Sequence, residues 1–278
     1  MVEIKFPQFR TLEKRRVASS NTIWATLAGS KVAANTLSLT DGSERTLGEI
    51  FPAVEHIQRF NLRTNEARAI LNAAEADLCT MGMAYAIALH EDFVKSCLCL
   101  LVPHKLISAT KIKNTTTSNV HEVFEEAAGT LLNADSLALF HLTRLIRNCH
   151  IHAGGEVSNA LVNAYASLTP SQATLWERLT KEPLSTPAIG DPAEVGVGGL
   201  IATLAVGKRL GREINAGLQS AIPRDTWADI AVSDYFANHK KSPRDPTAVR
   251  SVRGYIRGLY DALALTDTEL SAAVRRLL

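Results

Sequence analysis

From Asn61 onward, apolar residues recur at the three- and four-residue spacing of a helix face. Ile70, Leu71, Ala74 and Leu78 begin the stripe. Tyr85, Leu89, Phe93, Cys97 and Leu100 continue it until Pro103, which cannot donate to a helical ladder, stops it. Thr64 is a suitable N-cap, and Gly82, between two methionines, predicts a bend. Asn119 with Glu122 three residues on fits a capping pattern for a helix over 120–132. Asp135 caps the next helix, whose stripe is Ala138, Leu142, Leu145, Ile146 and Cys149. Further helices follow at 156–168 and, opened by Thr169-Pro170, at 170–181. Aromatics make up only 6% of the chain, so the apolar mass is mainly Ala, Leu, Val and Ile, which suits helix packing better than a β-sandwich. An all-α fold is expected.

The rest of the chain divides around this run. Residues 1–60 read as an irregular N-terminal segment. Thr36-Leu37-Ser38-Leu39-Thr40 alternates, Asp41-Gly42 is a turn signal, and a small β-hairpin is expected there, with a short helix over 49–60. Residues 61–182 form a helical bundle. Pro183, Pro187, Gly190 and Pro192 fall within ten residues and mark 183–198 as a linker. Residues 199–278 make a helical C-terminal module, with helices over 200–219 and 227–238. A two-sided helix follows around Val249–Leu263, and the Thr266-x-x-Glu269 capping box opens the last helix.

Charge is unevenly spread. Residues 1–16 carry a net +3, residues 17–204 a net −5 and residues 205–278 a net +4. In the C-terminal module Arg250, Arg253 and Arg257 form a stripe at i, i+3, i+7, with Lys240, Lys241 and Arg244 nearby. These six are candidate contacts to RNA phosphates, and a solvated helix face is the competing account. Cys79, Cys97, Cys99 and Cys149 include no C-x-x-C pair, so buried reduced thiols are expected rather than a zinc site. The first residues lack an apolar signal core, and the longest apolar run, Leu78–Leu89, is too short to span a bilayer. A cytoplasmic protein with no membrane partner is expected.

Two phosphate-loop patterns fail on their own residues. Gly196-Val197-Gly198-Gly199 lacks the third glycine of a dinucleotide fingerprint, and Gly207-Lys208 is followed by Arg209 and has Ala202 where a glycine is needed. His90-Glu91-Asp92 has no second histidine at zincin spacing. The stretch that concentrates usable chemistry is Leu145-Ile146-Arg147-Asn148-Cys149-His150-Ile151-His152-Ala153-Gly154-Gly155-Glu156. Arginine offers a permanently charged fork for a phosphate, and histidine exchanges a proton near neutral pH. Arg147 and His152 are five residues apart, about 140° around a continuous helix, which is poorly convergent. Gly154 and Gly155 would let the helix end and His152 turn back. Asn148 can hydrogen-bond a phosphate or cap backbone groups. A helix C-terminus merely decorated with cations, favoured by the helix dipole, accounts for the same residues without a site. His150 and His152 lack a carboxylate or cysteine at metal-ligand spacing, so no metal and no cofactor are expected.

The order Arg147-Asn148-x-x-x-His152, late in a helical run and followed by glycine, resembles the signature of the HEPN superfamily. The resemblance covers the helical region of about residues 62–182. It implies a HEPN-like helical bundle and a metal-independent endoribonuclease, dimeric, with two motifs facing each other in a composite cleft. Arg147 would hold the scissile phosphate, His152 would act as general base or acid, and Asn148 would orient the phosphate or the motif backbone. The products would be a 2′,3′-cyclic phosphate and a 5′-hydroxyl. His150 has no fixed role in the family; it either assists or faces solvent. Such an enzyme fits a toxin or antiviral defence effector held by an inhibitory antitoxin or sensor partner. A non-catalytic HEPN-type protein, binding nucleotides or partners as a scaffold, is the alternative; the presence of both Arg147 and His152 favours the nuclease.

Overall fold

The computed structural model describes residues 3–152, 154–193 and 195–278. Among them the chain is mostly helical and contains no strand, only two isolated bridges, Thr46 with Arg63 and Glu156 with Pro192. The all-α expectation holds. No helix among the described residues is long and apolar enough to cross a membrane.

The N-terminal hairpin is absent. In its place stands α1, Pro7–Leu37, a 31-residue helix. Four of its threonines satisfy their hydroxyls on the carbonyl four residues back (Thr11, Thr22, Thr26 and Thr36, at 2.8–3.0 Å), so these polar residues are accommodated in the helix. The Thr36–Thr40 alternation does not make a strand because its two leucines face opposite ways: Leu37 is 5% exposed and Leu39 is 86% exposed. In a strand, residues i and i+2 share a face. Asp41-Gly42 is still a turn, with Gly42 at φ +80°. The helix expected over 49–60 is reduced to α2, Leu47–Ile50, capped by reciprocal bonds between Thr46 and Glu49.

The long helix α3, Thr64–Cys99, passes through Gly82 without interruption. That glycine marks a close approach: a Cβ there would lie 2.7 Å from Ile23 Cδ1 and 3.2 Å from Leu200 Cδ1. The short α4, Ala109–Lys113, comes next, and α5, Val120–Ala128, stops early at Gly129, in the left-handed region. Then come α6, Ala134–His152, α7, Asn159–Ala166, and α8, Pro170–Thr180, the last with its Thr169–Gln172 capping box. The C-terminal helices are α9, Val197–Ala221, α10, Arg224–Asn238, α11, Ala248–Leu259, and α12, Asp267–Arg276, the last opened by the Thr266–Glu269 capping box.

The contacts divide the chain into two compact units. The first comprises Met1–Arg16, Ile87–Arg144 and Ala205–Leu278. Its core includes Phe6 edge-on to Trp227 at 5.7 Å, and Phe9 against Phe93. Asn215 tethers the N-terminal segment by bonding both backbone groups of Ile4. The buried Asp234 carboxylate accepts from Arg10 (2.7 and 2.8 Å), Tyr260 (2.8 Å), Tyr255 and Asn238. Burial alone would raise its pKa; the bonds from Arg10 and the tyrosines hold it below the usual range. The second unit comprises Val17–Ala86 and Leu145–Leu204 and contains the motif. Its core includes Leu27, Cys79, Met83, Ile146, Cys149, Leu161 and Leu200.

Candidate active site

The site begins with the buried stripe of α6, where Leu142, Ile146 and Cys149 are each at most 5% exposed. The helix is started by Asn133, whose side chain accepts from the backbone and hydroxyl of Ser136 at 2.9 Å; Asp135 is not its cap. It ends at the glycines. Gly154 and Gly155 have φ of +64° and +88°, and the Gly155 N–H returns to the Cys149 carbonyl at 3.0 Å. That bond closes the chain back on the last turn of the helix, and glycine adopts the left-handed conformation it needs without steric cost.

A second segment is tied to this cap. The Ala193 N–H donates to Gly155 O at 2.7 Å, Val157 N–H to Asp191 O at 2.8 Å, and Gly190 N–H to Val157 O at 3.1 Å. His150 adds a side-chain tie, because its Nε2 bonds the Ala193 carbonyl. A carbonyl oxygen only accepts, so His150 carries its proton on Nε2 in that bond. The proline-rich stretch therefore supplies residues 190–193 as a wall of the site.

Arg147 lies half-buried one turn before His150. One of its terminal nitrogens donates to Asn148 Oδ1 at 3.0 Å. Its Nε is buried and has no hydrogen-bond partner, and no carboxylate pairs with the guanidinium among the described residues. A buried N–H left unpaired costs about 1–3 kcal/mol, so this donor is a natural recipient for a ligand oxygen. Asn148, with its oxygen occupied by Arg147, orients the guanidinium. His152 is exposed at the end of α6. Because the helix runs through it, the divergence of about 140° from Arg147 persists in the fold, and the glycines do not turn His152 back. Arg147 and His150, three residues apart, are instead about 60° apart on the helix.

The basic C-terminal candidates separate into engaged and free groups. Arg253 pairs with Asp267, and Lys241 donates to Ser251 Oγ at 2.9 Å. Lys240, Arg244, Arg250 and Arg257 are exposed and have no side-chain partner among the described residues. All four cysteines are free thiols; Cys79, Cys97 and Cys149 are buried and Cys99 is exposed. Two features of the site had no sequence signal that could reveal them: the tie from His150 to Ala193, made across 43 residues, and Asp77 of α3, which lines a cavity with His150. Comparison with protein-family models, curated proteins and solved structures gave no significant match.

Proposed function

We propose that this chain is a metal-independent endoribonuclease of the HEPN type. The observation that carries the reading is the Arg147 guanidinium: cationic, half-buried, oriented by Asn148 and left with an unpartnered Nε–H. It suits a phosphate oxygen, and it gains most when charge develops on that oxygen in the transition state. The nucleophile is the RNA 2′-hydroxyl, so the protein supplies a cation and a proton carrier. With His150 tied to Ala193, His152 is the motif histidine free to exchange protons. It accepts the 2′-OH proton as the oxygen attacks phosphorus, and an imidazolium protonates the departing 5′-oxygen. A 2′,3′-cyclic phosphate and a 5′-hydroxyl result.

Arg147 and His152 of one chain diverge, so each His152 serves the Arg147 of a second copy in a homodimer with composite sites. A general RNA-cutting activity must be restrained in the cell that makes it. The proposal therefore extends to a toxin or antiviral effector in the cytoplasm, held by an antitoxin or sensor. RNA incubated in EDTA with the wild-type chain is expected to yield cyclic-phosphate ends, and His152→Ala is expected to lose at least about a hundredfold in rate, the usual size of a general acid–base contribution. Strict dependence on a divalent metal, or unchanged cutting by the variant, overturns the mechanism.

A further inference from the structure

Beside the end of α6, the second unit holds a cavity of about 610 Å³, a size that accommodates a small organic ring system. His150, Gly154 and Gly155 form one side, Pro192, Ala193 and Val195 a second, and Asp77, Thr80 and Met81 of α3 a third. The glycines carry no side chain, and a Cβ on Gly154 would meet nothing within 4 Å, so a flat ligand can lie against this backbone. Met81 is 60% exposed, an unusual position for a large apolar side chain and one from which its thioether can cover a ring. Asp77 is exposed, and neither its carboxylate nor the Thr80 hydroxyl has a side-chain hydrogen bond or ion pair among the described residues.

We infer that this cavity is a nucleobase pocket selecting guanine, which makes Asp77 the specificity-determining residue of the ribonuclease site; the inference rests on the function proposed above. An ionised carboxylate only accepts hydrogen bonds and repels phosphate, so the cavity is unsuited to the RNA backbone, which goes to Arg147. Guanine presents two adjacent donors, N1–H and the N2 amino group, which fit the two oxygens of one carboxylate. Adenine and cytosine present one exocyclic amino group each, and uracil a single ring N–H. The positions are compatible: His150 lines the cavity, and Arg147 lies three residues away, about 4.5 Å along the same helix. Thr80 supplies a further hydroxyl to the bound base, and Met81 packs on its face.

The test separates base recognition from cutting. Binding of guanosine, adenosine, cytidine and uridine 3′-monophosphates to the full-length wild-type chain is measured by calorimetry. The same nucleotides are then tested against Asp77→Ala, Asp77→Asn and Arg147→Ala. The guanine nucleotide is expected to bind at least tenfold tighter than the other three. Both Asp77 variants are expected to remove that difference, while Arg147→Ala weakens all four nucleotides alike. In parallel, cleavage of an RNA containing all four bases is expected to fall beside guanosine in the wild type and to lose that preference in Asp77→Ala, whatever its total rate. Equal binding of all four nucleotides by the wild type overturns the pocket, even if RNA is cut. Guanine selectivity lost with Asp77, in a chain that cuts no RNA, upholds the pocket and overturns the ribonuclease.

Discussion

His90 and His121 show how strongly single side chains can bind this fold to pH. Their Nε2 atoms are 2.9 Å apart, so one ring donates and the other accepts, and both cannot be protonated there. Phe93 and Phe140 pack on the pair, His141 stands edge-on to His121, and Arg144 bonds His141 at 3.3 Å. Burial pushes the His90 pKa down to about 4; burial and the neighbouring histidines push that of His121 down to about 2. Both pKa values lie below the ordinary 6.5, so the unfolded chain takes up protons that the folded chain refuses. Stability is therefore lost as pH falls below 6.5. Between pH 7 and pH 5 the loss should be about 2 kcal/mol for each histidine, read from urea midpoints. His121→Phe is expected to flatten that dependence, and an equally steep slope in the variant would remove the pair as its cause. Asp234 gives a second residue-scale prediction. Removing one partner of a buried pair strands the other, so Asp234→Ala should cost about 3–5 kcal/mol in chemical denaturation. A loss below about 1 kcal/mol would show that the Arg10 bond contributes no more than an exposed ion pair. Neither pair is legible in the sequence, since Arg10 and Asp234 are 224 residues apart and His90 and His121 are 31.

At the scale of elements, the sequence was informative where local chemistry decides. The Thr169 cap with Pro170 after it, the Thr266–Glu269 capping box, the core stripe of α6 and the glycine stop at its end are set by neighbours within a turn, and each stands in the fold. Legibility fails where distant packing decides. The sequence of α1 has a polar middle, Ser19-Ser20-Asn21-Thr22, and so lacks a continuous apolar stripe. Gly82 is placed by the approach of Ile23 and Leu200, which no local pattern reveals. The same boundary runs through the site. Arg147, Asn148 and His152 were visible as a cluster of usable chemistry, whereas the 190–193 wall, the tether on His150 and the unpaired Asp77 emerge only from tertiary contacts. Gly155→Ala puts a Cβ on a backbone at φ +88°, with 3.8 Å of clearance to His150 Nδ1. Its cost is therefore backbone strain, about 1–2 kcal/mol in thermal or urea denaturation. A variant as stable as wild type would show that the cap tolerates an L-residue.

At the scale of the whole molecule, each unit gathers residues from widely separated parts of the chain, and four helices (α1, α3, α6 and α9) contribute to both. Arg147 and His152 nevertheless fall in the same unit and on the same helix, so their separation is fixed by the helical period and does not depend on how the chain closes around them. This makes the composite site the central claim, and mixing two inactive chains tests it most directly. Arg147→Ala and His152→Ala should each be inactive toward RNA. If every site pairs Arg147 of one copy with His152 of another, a mixed dimer holds one intact site, and an equimolar, fully exchanged mixture should regain about a quarter of wild-type activity, as two-fold symmetry requires. A mixture that has exchanged subunits and remains inactive would contradict a site shared between two copies.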